Sequence, residues 1–165
     1  VNASVSVEPP MFVDVVNVTS AADMADVVKS KAAEQDIIIM TAAVADFCPS
    51  HPADEKIKKN DSSYESVIEL ERTEDILSYL GAHKAKGQLI CGFSMETQNM
   101  LENSKAKLAK KNADMIVANN LKVAGAGFGT DTNVVTLITA NDCTELEIMD
   151  KSCVAARIMD RLLQM

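Results

Sequence analysis

Two groups of lysines in an acidic chain are the residues whose placement most needs a chemical reason. Lys56, Lys58 and Lys59 flank Ile57, and Lys107, Lys110 and Lys111 recur at i, i+3 and i+4. Like charges this close repel unless water or an anion lies between them. The first group reads as a solvated strand edge, or as a clamp neutralising charge on a transferring phosphoryl group. The second reads as a solvated helix face. If both met at one sheet edge, they would suit a triphosphate. Asp46 closes the run Thr41-Ala42-Ala43-Val44-Ala45, whose small side chains would let a ligand ring lie against the backbone. Its carboxylate could bond a base, bind a metal or cap a turn, and the turn cap is the commoner use. Gly125-Ala126-Gly127-Phe128-Gly129 is the one glycine cluster. Its G-x-G-x-G spacing precedes a strand and opens no helix, so it fails the dinucleotide fingerprint. That argues against a nicotinamide-dependent oxidoreductase, and a flexible loop explains the cluster equally well.

Alternating strands and helices must position these residues. Phe12 to Val18 is a short β-branched run. Ser20 with Asp23 reads as a helix start, and Met24, Val27 and Val28 continue at helical spacing. Ile37 to Met40 is a continuous apolar run that suits a strand buried on both faces. Ala42 to Ser63 is a long polar loop, and loops of that length in compact domains are often functional. Ser66 to Glu71 alternates as a strand, and Thr73 caps a helix with Glu74 and Asp75 in its first turn. A buried strand over 88–93, a helix over 97–112 and a strand over 114–118 follow, with Leu101 and Leu108 on the helix's core face. Asn119 to Asn133 is a second long loop. Val134 to Thr139 and Glu145 to Met149 form a hairpin around Ala140-Asn141-Asp142. A closing helix over 151–163 sets Val154, Ile158, Leu162 and Met165 on its core stripe. The pattern implies an α/β domain with a mostly parallel sheet plus a C-terminal antiparallel hairpin. Ligands of such sheets bind outside the carboxyl ends of the strands. Thr41 to Lys59, Ser94 to Thr97 and Asn119 to Asn133 are expected to crowd that edge.

The 165 residues fit a single domain, read here as spanning 1–165, with enough chain to bury a core without disulfide staples. A net charge of -8 disfavours nucleic acid or an anionic membrane surface as partner. No apolar stretch approaches the roughly 20 residues that cross a bilayer, and no signal peptide is visible at Val1. Cys48, Cys91, Cys143 and Cys153 contain no Cys-x-x-Cys pair and have only His51 and His83 to assist them, so a zinc site is disfavoured. They read as reduced core residues of a cytoplasmic protein, with Cys48 the more exposed.

Several segments in order carry a resemblance: Ala42-Ala43-Val44-Ala45-Asp46-Phe47, Glu55-Lys56-Ile57-Lys58-Lys59, Gly92-Phe93-Ser94-Met95-Glu96-Thr97, Lys107 with Lys111, Ala118-Asn119-Asn120, and Gly127-Phe128-Gly129 with Asp131 and Asn133. Together they resemble bacterial phosphopantothenoylcysteine synthetase, in many bacteria the C-terminal half of a bifunctional flavoprotein. The resemblance implies a Rossmann-like, three-layer fold that forms a homodimer. It implies ligation of 4'-phosphopantothenate with L-cysteine in coenzyme A biosynthesis, driven by CTP with Mg²⁺ through an acyl-cytidylate. FMN would belong only to a fused decarboxylase half. By position, Met40, Thr41, Ala42 and Asp46 would hold the nucleotide, and Lys56 would neutralise charge during cytidylylation. Glu74, Asp75, Ile76, Leu77 and Phe93 would add nucleotide contacts, and Lys107 and Lys111 would meet the phosphates. Thr73-Glu74-Asp75 replaces an Asn-Pro-Asp-like stretch of the family. The family's Gly-rich opening strand and its Asn-x-Ser-Ser-Gly-type segment align before Val1. The expectation is therefore a domain N-terminally incomplete by about 40 residues, and the fragment alone could be inactive. The alternative is a non-catalytic nucleotide-binding or dimerisation domain of the same fold.

Overall fold

A computed structural model describes residues 1–3, 5, 7–53, 55–56, 67–96, 99–120 and 129–165. Its strands are β1 (Asn2–Ala3), β2 (Asn17–Val18), β3 (Ile37–Met40), β4 (Phe47–Pro49), β5 (Leu70–Arg72), β6 (Leu89–Glu96), β7 (Met115–Asn120), β8 (Thr132–Asn133), β9 (Val135–Thr139), β10 (Cys143–Glu145) and β11 (Met149–Asp150). Its helices are α1 (Ala21–Ala32), α2 (Ile76–Ala82), α3 (Met100–Lys110) and α4 (Lys151–Leu162). The described chain falls into two compact units, Val1–Val27 with Ala43–Asp75, and Val28–Ala42 with Ile76–Met165.

The second unit is an α/β sandwich on a mixed sheet of order β10-β9-β7-β6-β3. β3, β6 and β7 are parallel, while β9 and β10 run antiparallel. Side chains alternate across the pleat. Cys91, Met115, Val117, Val135 and Leu137 therefore share one face, which Val154, Ile158 and Leu162 of α4 cover. Opposite them, α2 and α3 pack on Ile90, Gly92, Ile116 and Ile138. Gly92 admits α2, since a Cβ there would lie 2.6 Å from the Leu77 side chain. The β9–β10 turn is held by Thr139, whose hydroxyl accepts the Asp142 N–H at 3.1 Å while donating to the Asp142 carboxylate. That bond, then the Arg161 guanidinium 2.7 Å away, holds the Asp142 carboxyl below the ordinary carboxylate range. The amino end of β6 is pinned by Asp114, which accepts the Ile90 N–H at 2.7 Å and pairs with Lys84 at 2.8 Å.

The first unit is built from short pieces. β1 and β2 are parallel, and β4 and β5 form an antiparallel arm with Phe47 opposite Arg72. At the start of α1, Ser20 Oγ accepts the Asp23 N–H at 3.1 Å, and the Asp23 carboxylate accepts the Ser20 N–H at 2.9 Å. This is the reciprocal box expected from Ser20 and Asp23.

Several expectations are corrected. β3 ends the described sheet and is half-buried, because a strand with a partner on one side only keeps access to water. The run from Phe12 to Val18 pairs only at Asn17–Val18, and Phe12 is fully exposed. The long polar loop contains β4, and the 66–71 alternation pairs only from Leu70, with Val67 and Ile68 exposed. Residues 57–66 lie outside the described set. β6 and β7 run on through 94–96 and 119–120, so those residues are strand, not loop. The hairpin's second half divides, with Met149–Asp150 pairing β8. Leu101 and Met165 are exposed, while Ser104 and Leu108 face the core. Cys91 is buried, but Cys143 and Cys153 are exposed and Cys48 is half-buried.

Candidate functional site

The site is built where β3 stops. Its last pairing is Met40 beside Gly92, but β6 continues to Glu96 along β7. Phe93 is therefore the first β6 residue past the end of its parallel neighbour. Its carbonyl accepts the Lys107 Nζ of α3 at 2.8 Å. Leu77 of α2 lies over Gly92. One residue further along α2, Ser78 Oγ accepts the Lys111 Nζ at 2.9 Å. The fold thus gathers Met40, Leu77, Phe93, Lys107 and Lys111 around the carboxyl end of β3. Thr41 and Ala42 follow Met40 directly and are exposed. Ile76 is buried and anchors α2.

The two lysines are half-buried; the Lys107 ammonium donates to the Phe93 carbonyl, and the Lys111 ammonium has the Ser78 hydroxyl among its partners. Lys107, bonded to a neutral carbonyl, keeps its charge available to an anion that approaches the strand end, in surroundings drier than bulk water. Lys110 is exposed and belongs to the solvated face. Contact between α2 and α3 fixes the pair in place. A Cβ on Gly81 would lie 1.8 Å from the Lys111 carbonyl oxygen, so only glycine allows this approach. Asn112 Nδ2 donates to the Gly81 carbonyl at 2.7 Å beside it.

The remaining nucleotide candidates, Asp46, Lys56, Glu74 and Asp75, lie in the first unit. The Asp46 carbonyl accepts the Thr73 N–H at 3.0 Å, and the Ala45 carbonyl accepts the Thr73 hydroxyl. Thr73 therefore closes the mouth of the β4–β5 arm. Glu74 and Asp75 precede α2, which opens at Ile76, instead of forming its first turn. Lys56 is exposed. Lys58, Lys59 and residues 125–128 of the glycine cluster lie outside the described residues. Gly129 sits at φ 72°, a left-handed conformation that suits glycine. Beyond it, Asn133 Nδ2 donates to Asn119 Oδ1 at 3.2 Å, joining the two ends of that loop.

Sequence reasoning missed Ser78, Gly81 and Asn112. The Ser78–Lys111 pair spans 33 positions and has no local signature. Gly81 lies inside α2, and a glycine inside a helix usually has a packing reason. No group of three His, Cys, Asp or Glu side chains among the described residues is placed to hold a metal ion. No helix among them is long and apolar enough to cross a membrane.

A family profile described as the DNA/pantothenate metabolism flavoprotein C-terminal domain matches residues 1–165. A cysteine/cysteine sulfinic acid decarboxylase from an unknown prokaryotic organism is 45% identical over 152 residues, 92% of this chain and 42% of its own. The coenzyme A biosynthesis bifunctional protein CoaBC of Bacillus subtilis (strain 168) is 45% identical over 156 residues, 94% of this chain and 38% of its own. The chain thus spans about two fifths of the length of these curated relatives. A crystal structure of the C-terminal domain of a CoaBC protein superposes with a TM-score of 0.79 at 39% identity, covering 98% of this chain and 72% of that one.

Proposed function

Because this chain belongs to the DNA/pantothenate metabolism flavoprotein C-terminal domain family, we propose that it is the ligase portion of a coenzyme A biosynthesis protein. It joins 4'-phosphopantothenate to L-cysteine at the expense of CTP. A carboxylate oxygen of 4'-phosphopantothenate attacks the α-phosphorus of CTP, and pyrophosphate leaves with the electron pair of the broken P–O bond. The cysteine amine then attacks the acyl carbon, CMP departs with the C–O electrons, and the nitrogen loses a proton. The decarboxylase activity in one relative's name belongs to a protein of which this chain matches 42%.

One observation carries the reading. At the end of β3 the Lys107 ammonium lies 2.8 Å from the Phe93 carbonyl, past the last Met40–Gly92 pairing. A cation at the carboxyl end of a parallel strand is where an α/β sheet binds an anionic ligand. In this reading Met40, Thr41, Ala42, Ile76, Leu77 and Phe93 hold the nucleoside portion, with Asp46, Glu74 and Asp75. Lys107 and Lys111 meet the phosphates, and Lys56 neutralises charge as pyrophosphate forms. Mg²⁺ would arrive on the triphosphate. The described residues hold no group of three His, Cys, Asp or Glu placed to bind a metal ion of their own. The exposed Phe47, Val67, Ile68 and Leu70 of the first unit form the kind of apolar surface that a second copy covers, which supports a homodimer.

The test is pyrophosphate release from CTP in the presence of 4'-phosphopantothenate, with ATP as control. CTP-dependent release that Lys107→Ala lowers is the expected result. Release equal with ATP would overturn the nucleotide assignment. Release unaffected by Lys107→Ala would overturn the site.

A further inference from the structure

Asn119 and Asn133 stand at the carboxyl end of the parallel strands, and the nucleotide assignment uses neither. Asn119 pairs on both sides, with Met95 of β6 and Val135 of β9, so its backbone is fixed in the sheet. Its side chain is half-buried, while Asn133 of β8 is only 8% exposed. Their hydrogen bonds form a chain whose direction is set at one end. The Val134 N–H can only donate, so the Asn133 atom 2.9 Å from it is the amide oxygen. The Asn133 Nδ2 is left to face Asn119, and the Asn119 atom 3.2 Å from it is therefore also an oxygen. That turns the Asn119 Nδ2 away from Asn133, and no group among the described residues accepts its protons.

This donor lies on the edge where an α/β sheet binds ligands. β7 flanks β6 on the side opposite β3. Asn119 is one strand across from Phe93 and two residues further on, about 8 Å away by strand spacing. With the nucleotide at the end of β3 and β6, a group over the end of β7 meets the molecule beside the nucleotide. We propose that the Asn119 amide donates to an oxygen of 4'-phosphopantothenate, and that Asn133 is a positioning residue that keeps the donor side of this amide toward the substrate. The proposal rests on the reading of the chain as a ligase of that acid. A mere tie between the strands needs the Asn119 oxygen and gives its Nδ2 no use. The two roles therefore separate in Asn119→Asp, which keeps an oxygen for Asn133 and removes the donor. In Asn133→Asp one oxygen still accepts the Val134 N–H, and the other repels the Asn119 oxygen. The Asn119 amide must then turn over and present its oxygen to the substrate.

The experiment measures affinity for 4'-phosphopantothenate and, separately, for CTP–Mg²⁺ by calorimetry, with melting midpoints, for the wild type, Asn119→Asp and Asn133→Asp. Asn119→Asp is expected to weaken the acid about tenfold. It should leave CTP affinity within about twofold and the melting midpoint within about 3 °C. Asn133→Asp should weaken the acid by a similar factor, although residue 133 does not touch it. In the wild type the NMR signals of the Asn119 side-chain NH₂ should shift when the acid is added, and in Asn133→Asp they should not. Unchanged affinity for the acid in Asn119→Asp would overturn the proposal and leave the ligase reading intact. Equal losses of acid and CTP in that variant, with a lowered melting midpoint, would overturn it by making the pair a structural tie. A loss in Asn119→Asp with none in Asn133→Asp would overturn the positioning role of Asn133. A wild type that does not bind 4'-phosphopantothenate would overturn the ligase reading and this proposal together.

Discussion

The two compact units share an aliphatic vocabulary and use it in opposite ways. In the unit of Val28–Ala42 and Ile76–Met165, Ile90, Ile116 and Ile138 have no exposed surface. In the unit of Val1–Val27 and Ala43–Asp75, Val67 and Ile68 are 83% and 72% exposed. The difference lies in neighbours, not composition. Ile116 has β6 on one side, β9 on the other and a helix above it. Leu70, at the end of the first unit's arm, has one strand partner. Burial of an aliphatic side chain is worth about 1.5–3 kcal/mol, and only the sheet-centred unit collects it repeatedly.

Ile116→Ala is the strongest way to test that contrast. It should destabilise the chain by about 2–5 kcal/mol, read by denaturant unfolding. Ile68→Ala should change stability by less than about 0.5 kcal/mol. Equal losses would mean that Ile68 is covered in solution, and a concentration-dependent loss would identify the cover as a second copy.

Lys56 and Lys107 carry the contrast into function. Lys56 is exposed in the first unit, so Lys56→Gln should leave the unfolding midpoint unchanged while lowering CTP-dependent pyrophosphate release about 100-fold. Lys107 is bonded into the sheet-centred unit, so Lys107→Ala should cost activity and about 1 kcal/mol of stability together. Undiminished turnover in Lys56→Gln would remove that lysine from the mechanism.

How much of this was legible follows the same division. The alternation of strands and helices, the capping box at Ser20 and Asp23, the buried stripe Val154, Ile158 and Leu162, and the lysines of α3 were all readable. Each depends on periodicity or short-range chemistry within one element. The pattern failed where burial depends on a remote partner. Val67 and Ile68 alternate like strand residues, but no sheet face among the described residues receives them. Leu101 and Leu108 are seven residues apart and within about 20° of one helix face, yet Leu101, in the first turn of α3, is exposed and only Leu108 is buried. In the proposed site, Lys107 and Lys111 stood out by charge and spacing, while their assignment to the phosphates came from the resemblance. Their partners, Phe93 through its carbonyl and Ser78 through its hydroxyl, could not be assigned from sequence, since backbone acceptors and long-range serines leave no pattern.

Thiol chemistry sharpens the comparison further. Burial, with Asp114 adding to it, pushes the Cys91 thiol up to about 12. Cys91 should therefore resist a thiol reagent until the sheet unfolds, while exposed Cys143 and Cys153 react in the native state. Rapid labelling of Cys91 under native conditions would show that β6 opens locally. A thiol that ionises at lower pH in the unfolded chain costs stability as pH rises above about 9, so Cys91→Ser should flatten that alkaline loss.

The smallest effects are those in which the two units behave alike. Asp23 in the first and Asp142 in the second both have carboxyls held below the ordinary range. Hydrogen bonds from Ser20 dominate at Asp23, and the bond from Thr139 at Asp142. Folding lowers both values, so each group's contribution is present above the unfolded carboxylate pKa near 4 and is lost as pH falls through the folded one. Asp23→Asn and Asp142→Asn should each make the acid limb of the stability curve shallower below about pH 4. The change at neutral pH should be small for both, because the two carboxylates are exposed to solvent and screened. A steeper acid limb in either variant would mean that the sign of its shift is wrong. Equal flattening in the two would show that a cap holds its geometry without a sheet behind it, so the first unit's exposure reflects missing cover and not missing local order.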